Sequence, residues 1–244
     1  MVQPTVVWIR YRSYGKDDIM QGKLIIIEGG DGSGKATQTK LLQEHLQKDG
    51  KPVQAVSFPD YDSDSSALVR MYLRGDFGTD ADAVNPYAAS AFYAVDRFAS
   101  YQMHWKSFLQ NGGVVLADRY TTSNMLYQMI KFNDSAERSA YLDWLEDFEF
   151  GKMGLPRPDL VCLLDVPLDV TERLMAGRQG KTGGATGDIH EKNESFLHKC
   201  HDAYDELTDR YGWKRIACTE DGRMRSIEDI HADLYRAVTA VLIP

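Results

Sequence analysis

The 244 residues predict an α/β fold of three layers, with a five-stranded parallel sheet covered by helices on both faces. Three observations carry that prediction. Short apolar runs alternate along the chain with longer helical stretches, the pattern of strands joined by crossover helices. The first such run passes through a glycine-rich turn directly into a helix. No internal repeat or long linker divides the chain, so a single domain from 20 to 244 accounts for it. Residues 1–19 match no element this fold needs and are expected to form an extension outside the core.

The first strand is Leu24-Ile25-Ile26-Ile27-Glu28, short, apolar and bounded by glycine. Leu41, Leu42 and Leu46 then share one face of a helix. Between them lies Gly29-Gly30-Asp31-Gly32-Ser33-Gly34-Lys35-Ala36-Thr37, with Gly29, Gly34 and Lys35 in G-x-x-x-x-G-K register. Its glycines let the backbone curl around phosphate oxygens, and the helix behind offers unpaired N–H groups and a positive dipole end. Lys35 then reaches the β- and γ-phosphates. Residues Gly29 to Thr37 are therefore the expected nucleotide-phosphate-binding loop. Ala36 stands where a Ser or Thr hydroxyl normally meets Mg²⁺. Thr37, one residue on, does not automatically take over that geometry.

Lys51-Pro52 turns the chain into a second strand, Val53 to Phe58, stopped by Pro59. A loop through Ser66 leads into a helix ending near Arg74, broken by Gly75 and Gly78. Asn85-Pro86 opens a long helical region to about Leu109 that carries Phe92, Tyr93, Asp96 and Arg97. Val114 to Asp118 is a third buried strand, and helices follow over Thr122 to Phe132 and 136 to 150. Asp159 to Asp165 is a fourth strand, and Pro167 starts a helix through Arg178. Residues 180 to 188 hold four glycines and two threonines, the composition of a mobile loop. A charged helix from Ile189 to Tyr211, a fifth strand from Trp213 to Cys218 and a last helix from Ile227 to Leu242 complete the chain.

A net charge of −8 argues against nucleic acid or an anionic membrane as the main partner. No apolar run approaches the ~18 residues of a membrane span. Cys162, Cys200 and Cys218 are odd in number and widely spaced, as reduced thiols of a cytoplasmic protein are. His190-Glu191-Lys192-Asn193-Glu194 ends in Glu and is no zinc motif.

Ligands of a doubly wound sheet bind at the carboxyl ends of its strands. Those ends are Glu28-Gly29, Phe58-Pro59-Asp60, Asp118-Arg119 and Asp165. Asp118 there suits Mg²⁺ held through water, and Arg119 suits bidentate binding of a phosphate. Taken together the motifs resemble the thymidylate kinase family. Asp118-Arg119-Tyr120 with Ser123 and Tyr127 is similar to that family's D-R-Y-x-x-S-x-x-x-Y, and Phe58-Pro59 to its F-P loop. Tyr93-Ala94-Val95-Asp96-Arg97 resembles its aromatic-x-A-[DN]-R segment. Leu155-Pro156-Arg157-Pro158-Asp159-Leu160 followed by Leu164-Asp165-Val166-Pro167 resembles its L-P-x-P-D-L and L-D-V-P runs. The resemblance covers about residues 20 to 242, five motifs in order.

The resemblance implies a P-loop NTPase-type fold with a mobile lid over about 178 to 192, and phosphorylation of dTMP by ATP with Mg²⁺. It implies that Asp31 bonds the deoxyribose 3′-hydroxyl and that Phe58 and Tyr93 sandwich the pyrimidine. It gives Arg97 the thymine carbonyl edge, Asn124 the region of N3, Tyr127 the sugar and Arg119 the acceptor phosphate. A homodimer packed through helices follows from it as well. Three departures bear on these roles. Asp60-Tyr61 follows the F-P pair where relatives often carry an arginine. Ala36 removes the usual metal hydroxyl. The phosphate loop holds no arginine, so the transition-state cation should come from the lid, with Arg178 and Lys181 as candidates. Two alternatives stay open: a related kinase for another deoxynucleotide or deoxynucleoside, and a catalytically weak nucleotide-binding homologue.

Overall fold

The computed structural model describes residues 22–80, 82–176 and 194–242. The extension at 1–19 and the lid at about 178 to 192, with Arg178 and Lys181, lie outside the described residues. Five parallel strands form the sheet: β1 (Lys23–Glu28), β2 (Val53–Ser57), β3 (Val114–Asp118), β4 (Leu160–Asp165) and β5 (Lys214–Ala217). Their order is β2-β3-β1-β4-β5, so β1 is central, pairing Lys23 with Val114 on one side and Ile25 with Leu160 on the other.

Strand periodicity sorts the core into two layers. Leu24 and Ile26 point to one face with Val115, Ala117, Val161 and Leu163, where they meet Trp105, Leu126, Tyr141 and Leu207. Ile25 and Ile27 point to the other with Val114, Leu116, Cys162 and Leu164, against Leu42, Leu46, Leu234 and Val238. All four apolar side chains of β1 from Leu24 to Ile27 are fully buried, each contributing roughly 1.5–3 kcal/mol over leaving it exposed. A strand covered on both faces must be apolar at every position, which is why this one shows no polar alternation.

The helices are α1 (Lys35–Lys48), α2 (Ala67–Arg74), α3 (Pro86–Ser100), α4 (Lys106–Gln110), α5 (Thr121–Met129), α6 (Ser135–Glu146), α7 (Leu168–Ala176), α8 (Glu194–Tyr211) and α9 (Ile227–Leu242). Asn85 caps α3 by accepting from the Ala88 N–H, with Pro86 in the first turn. The long helical region expected to run to Leu109 is interrupted by a π-helical turn at Tyr101–Trp105. A second π-helical turn, Asp147–Lys152, extends α6. A small antiparallel hairpin, β6 (Thr219–Glu220) and β7 (Arg223–Met224), follows β5 and turns through Asp221 and Gly222, both with positive φ.

Candidate active site

β1 ends in Glu28, and the glycine-rich loop turns away from it at once. Gly29 has φ 150, and a Cβ there would lie 2.9 Å from the Leu164 carbonyl oxygen, so no larger residue fits between β1 and β4. Gly34, at φ 90, is the N-cap of α1, and no side chain caps that helix. The first-turn N–H groups are thus left for a ligand, in the arrangement that binds phosphate. Ser33 Oγ is buried with no hydrogen-bond partner among the described residues, an orphaned polar atom within the same loop.

Lys35 lies back across the loop, its Nζ donating to the carbonyls of Gly29 at 2.7 Å and Gly30 at 2.8 Å. Asp31 Oδ1 is 3.9 Å from it. Burial pushes the Lys35 ammonium down to about 8, with the Arg119 charge adding to the effect against Asp31, Asp118 and Glu28. Such an ammonium gains from any anion brought alongside.

Arg119 enters from the end of β3. Its φ of 68 is unusual for a residue with a side chain, and its N–H donates to the Ile27 carbonyl, extending the ladder by one rung. The guanidinium donates from Nη2 to Asp31 Oδ1 at 2.6 Å and from Nη1 to the Tyr127 hydroxyl at 3.2 Å, with Glu28 Oε1 at 3.7 Å. Burial disfavours the charge, but Tyr127, Asp31 and Glu28 hold the Arg119 pKa well above its ordinary value. Burial raises the Tyr127 hydroxyl, keeping it a neutral hydrogen-bonding group. Asp118 is half-buried at the last position of β3, in register with Ile27.

Glu28, read from sequence only as a strand end, proves to be the anchor beneath these groups. It is fully buried and accepts from Thr122 Oγ1 at 2.7 Å, Ser123 Oγ at 2.9 Å and the Gly29 N–H at 3.1 Å. A carboxylate closing an apolar strand beside a glycine was the signal that could have marked it.

A second cluster lies under α3 and α5. Arg97 is 1% exposed and forks onto Glu149, Nε to Oε2 at 2.8 Å and Nη2 to Oε1 at 2.5 Å. Burial works against the Arg97 charge, and Glu149 more than offsets it. Asn124 is also buried, its Nδ2 donating to the Ser90 carbonyl at 3.2 Å. Tyr93 is half-buried and meets the Tyr72 ring edge-on at 6.3 Å. Phe58 is 4% exposed and packs on Tyr120 at 6.0 Å, with most of its ring inside the core. Asp96 accepts from the Asp60 N–H at 2.9 Å and from Ser65 Oγ at 2.7 Å, tying the F-P loop to α3. Arg70 reaches the same loop from α2, its Nη1 donating to the Tyr61 and Ser63 carbonyls at 2.8 Å. Ala36 and Thr37 are both exposed at the start of α1.

Lys35, Asp31, Arg119 and Tyr127 thus form one connected constellation, with Arg97 and Asn124 in a neighbouring one. A glycine-rich phosphate loop beside a buried arginine at a neighbouring strand end is the arrangement of a phosphotransferase that brings two phosphorylated ligands together. Known proteins similar to this chain agree on which one. The thymidylate kinase family profile matches residues 27–233. A thymidylate kinase of Mycobacterium tuberculosis is 32% identical over 192 residues, 78% of this chain and 87% of that protein. A probable thymidylate kinase of Pyrococcus horikoshii is 32% identical over 224 residues, 92% of this chain and 99% of its own. The solved thymidylate kinase structure from Candida albicans superposes with a TM-score of 0.68 at 22% identity, covering 90% of this chain and 92% of that one, which supports the fold. The chain belongs to the thymidylate kinase family.

Proposed function

We propose that the protein transfers the γ-phosphoryl group of ATP to the phosphate of dTMP. An acceptor phosphate oxygen forms the new bond to γ-phosphorus in line with the breaking bond to the β–γ bridging oxygen, giving dTDP and ADP. A phosphate oxygen is already a nucleophile, so positioning and charge stabilisation carry the reaction. The observation that carries this reading is the placement of Lys35 and Arg119 on either side of Asp31, at 3.9 and 2.6 Å. One cation serves the donor phosphates and the other the acceptor phosphate.

Lys35 exchanges its loop carbonyls for the β- and γ-phosphates, and the uncapped N–H groups of α1 complete the cradle. Asp31 takes the 3′-hydroxyl, Tyr127 lies against the sugar, and Phe58 and Tyr93 flank the base. Arg97 and Asn124 read its edge. Mg²⁺ suits Asp118 together with nucleotide phosphates. No group of three or more His, Cys, Asp or Glu side chains suited to a metal occurs among the described residues, so the ion is expected to arrive with the nucleotide, largely hydrated. Its chemistry there is to neutralise charge developing between the β- and γ-phosphates. Arg178 and Lys181 remain the proposed lid cations.

A homodimer in the cytoplasm belongs to the same proposal. Val95 and Phe98 on α3 and Met103 in the π-helical turn after it are large apolar side chains 46%, 36% and 67% exposed. Such a stripe on one element suits a second copy of the chain. Three buried free cysteines suit a reducing compartment. No described helix is long and apolar enough to cross a membrane.

A coupled assay with ATP, Mg²⁺ and a panel of acceptors tests the activity. The expected order in kcat/KM is dTMP, then dUMP, with dCMP, dGMP and AMP far behind. A deoxynucleoside or dGMP as the best acceptor overturns the assignment.

A further inference from the structure

Glu149 has no role in the chemistry described so far, yet among the described residues it is the most heavily bonded buried carboxylate outside the phosphate loop. It is fully buried and draws four hydrogen bonds: two from Arg97, one from Thr121 Oγ1 at 2.6 Å and one from Asn124 Nδ2 at 3.4 Å. The π-helical turn Asp147–Lys152 sets it there. That turn leaves Asp147 and Lys152 paired at the surface at 2.9 Å while Glu149 turns inward. Buried ion pairs of this kind add little to stability compared with apolar packing of the same volume. Their retention calls for another use, and the partners of Glu149 supply one.

Two of these partners, Arg97 and Asn124, have directional consequences. Arg97 binds Glu149 through Nε and Nη2, so the planar guanidinium turns its other edge, Nη1 and the second Nη2 hydrogen, away from the carboxylate. Among the described residues, the Tyr120 carbonyl, at 3.4 Å, takes a hydrogen bond from that edge. Asn124 is constrained more sharply. An amide can offer a ligand either its NH₂ or its oxygen, and sequence alone leaves the choice open. Here the two Nδ2 hydrogens are engaged by the Ser90 carbonyl and by Glu149. The end left to offer is Oδ1, an acceptor.

We propose that Glu149 is a positioning residue that sets the hydrogen-bond polarity of the base pocket, Arg97 donating and Asn124 accepting. A pyrimidine with a carbonyl at position 4 and a proton on N3 meets both groups correctly. One with an amine at position 4 and a bare N3 meets a donor with a donor and an acceptor with an acceptor. Mismatches of that type leave buried polar groups unpaired and are strongly rejected. The inference rests on the dTMP reading above and names the residue that enforces it.

Glu149→Gln tests it, with kcat and KM measured for dTMP, dCMP and ATP and with the melting temperature as a folding check. The neutral amide sets an NH₂ against one of the two donor pairs, Arg97 Nη2 with Asn124 Nδ2 or Arg97 Nε with Thr121 Oγ1, and cannot accept all four bonds. The expected result is a rise in KM for dTMP of at least ~10-fold, KM for ATP within about twofold of wild type, and a fall of at least ~10-fold in the dTMP-to-dCMP ratio of kcat/KM. A folded variant that keeps the wild-type ratio overturns the proposal, as does one whose activity falls equally with both acceptors. Should Glu149→Gln not fold, Glu149→Asp is read in the same way, since it keeps the charge but withdraws it by one methylene: lost selectivity supports the proposal and wild-type selectivity overturns it. A wild-type enzyme preferring an acceptor other than dTMP or dUMP overturns both the reading and the proposal, whereas wild-type preference for dTMP that survives the variants overturns the proposal alone.

Discussion

Arg119 Nη2 and Asp31 Oδ1 lie 2.6 Å apart, an ion pair that ties the end of β3 to the phosphate loop. Arg119 makes this contact from a backbone of φ 68, a conformation that costs on the order of 1 kcal/mol for a residue with a side chain. Its side chain is shared among Asp31, Tyr127 and Glu28, so the planar fork matters as much as the charge. Arg119→Lys keeps the charge and loses the fork. Steady-state kinetics should show kcat/KM for dTMP lower by ~100-fold or more, with KM for ATP little changed. Wild-type turnover in that variant removes Arg119 from the acceptor site.

Lys35 gives a pH dependence whose sign follows from its lowered pKa of about 8. Bound phosphates stabilise the ammonium, so the complex holds its proton to higher pH than the free protein. Below about 8 both are protonated and affinity is flat. Above it, binding must take up a proton, and ATP affinity falls by up to ~10-fold per pH unit until the pKa of the complex is reached. Titration calorimetry with ATP from pH 7 to 9.5 measures this, with proton uptake confirmed in buffers of different ionisation enthalpy. In Lys35→Ala this component should vanish and kcat should drop by at least ~100-fold.

A second pH effect concerns stability. His45 Nδ1 and His231 Nε2 are 2.9 Å apart between α1 and α9, and the Tyr235 ring stacks on His45 at 3.9 Å. Burial, then the His45 charge, lowers the His231 pKa below its ordinary 6.5. His231 is therefore neutral in both states above pH 6.5, and its contribution there is complete. As pH falls through 6.5 the unfolded chain takes the proton first, and stability is lost until the folded pKa is passed. Thermal melts between pH 8 and 5 should show a decline below 6.5 that is shallower in His231→Gln. Parallel curves for the two proteins exclude the histidine pair as a source of the decline.

The exposed Val95, Phe98 and Met103 give a test of assembly. Phe98→Glu places a charge within this apolar stripe and should shift the protein from dimer toward monomer in sedimentation velocity at micromolar concentration. An unchanged sedimentation coefficient shows that copies meet elsewhere or not at all.

What was readable in the chain follows from how local each signal is. The phosphate loop and its strand are contiguous, and Leu24 to Ile27 announce burial on both faces because no polar residue interrupts them. Asp118-Arg119 was legible because a charged pair ends an apolar strand. Glu149 was not, because its partners Arg97 and Asn124 lie 52 and 25 residues away and nothing in Asp147-Phe148-Glu149-Phe150 tells which acid turns inward. The two π-helical turns were hidden for a related reason: one added residue in a helix leaves no mark in composition. The β6–β7 hairpin did have a signal, Asp221-Gly222, a pair suited to positive φ at both central positions. Its strands of two residues each are too short to show alternation. Phe58, proposed at the base, is 4% exposed, and a strand-end aromatic has the same sequence signature whether it edges a pocket or fills the core.

The central position of β1 also sets the timetable on which this chain can fold during synthesis. Its neighbours on the two sides are β3 and β4, and Lys23 waits for Val114 roughly 90 residues downstream. At about 5–20 residues per second, the interval is on the order of 5–20 s. Throughout it, a nascent segment containing Leu24, Ile25, Ile26 and Ile27 has both edges unpaired, an apolar edge open to other chains. The apolar strand that makes the finished sheet secure is thus a part of the chain that gains from chaperone cover before β3 emerges.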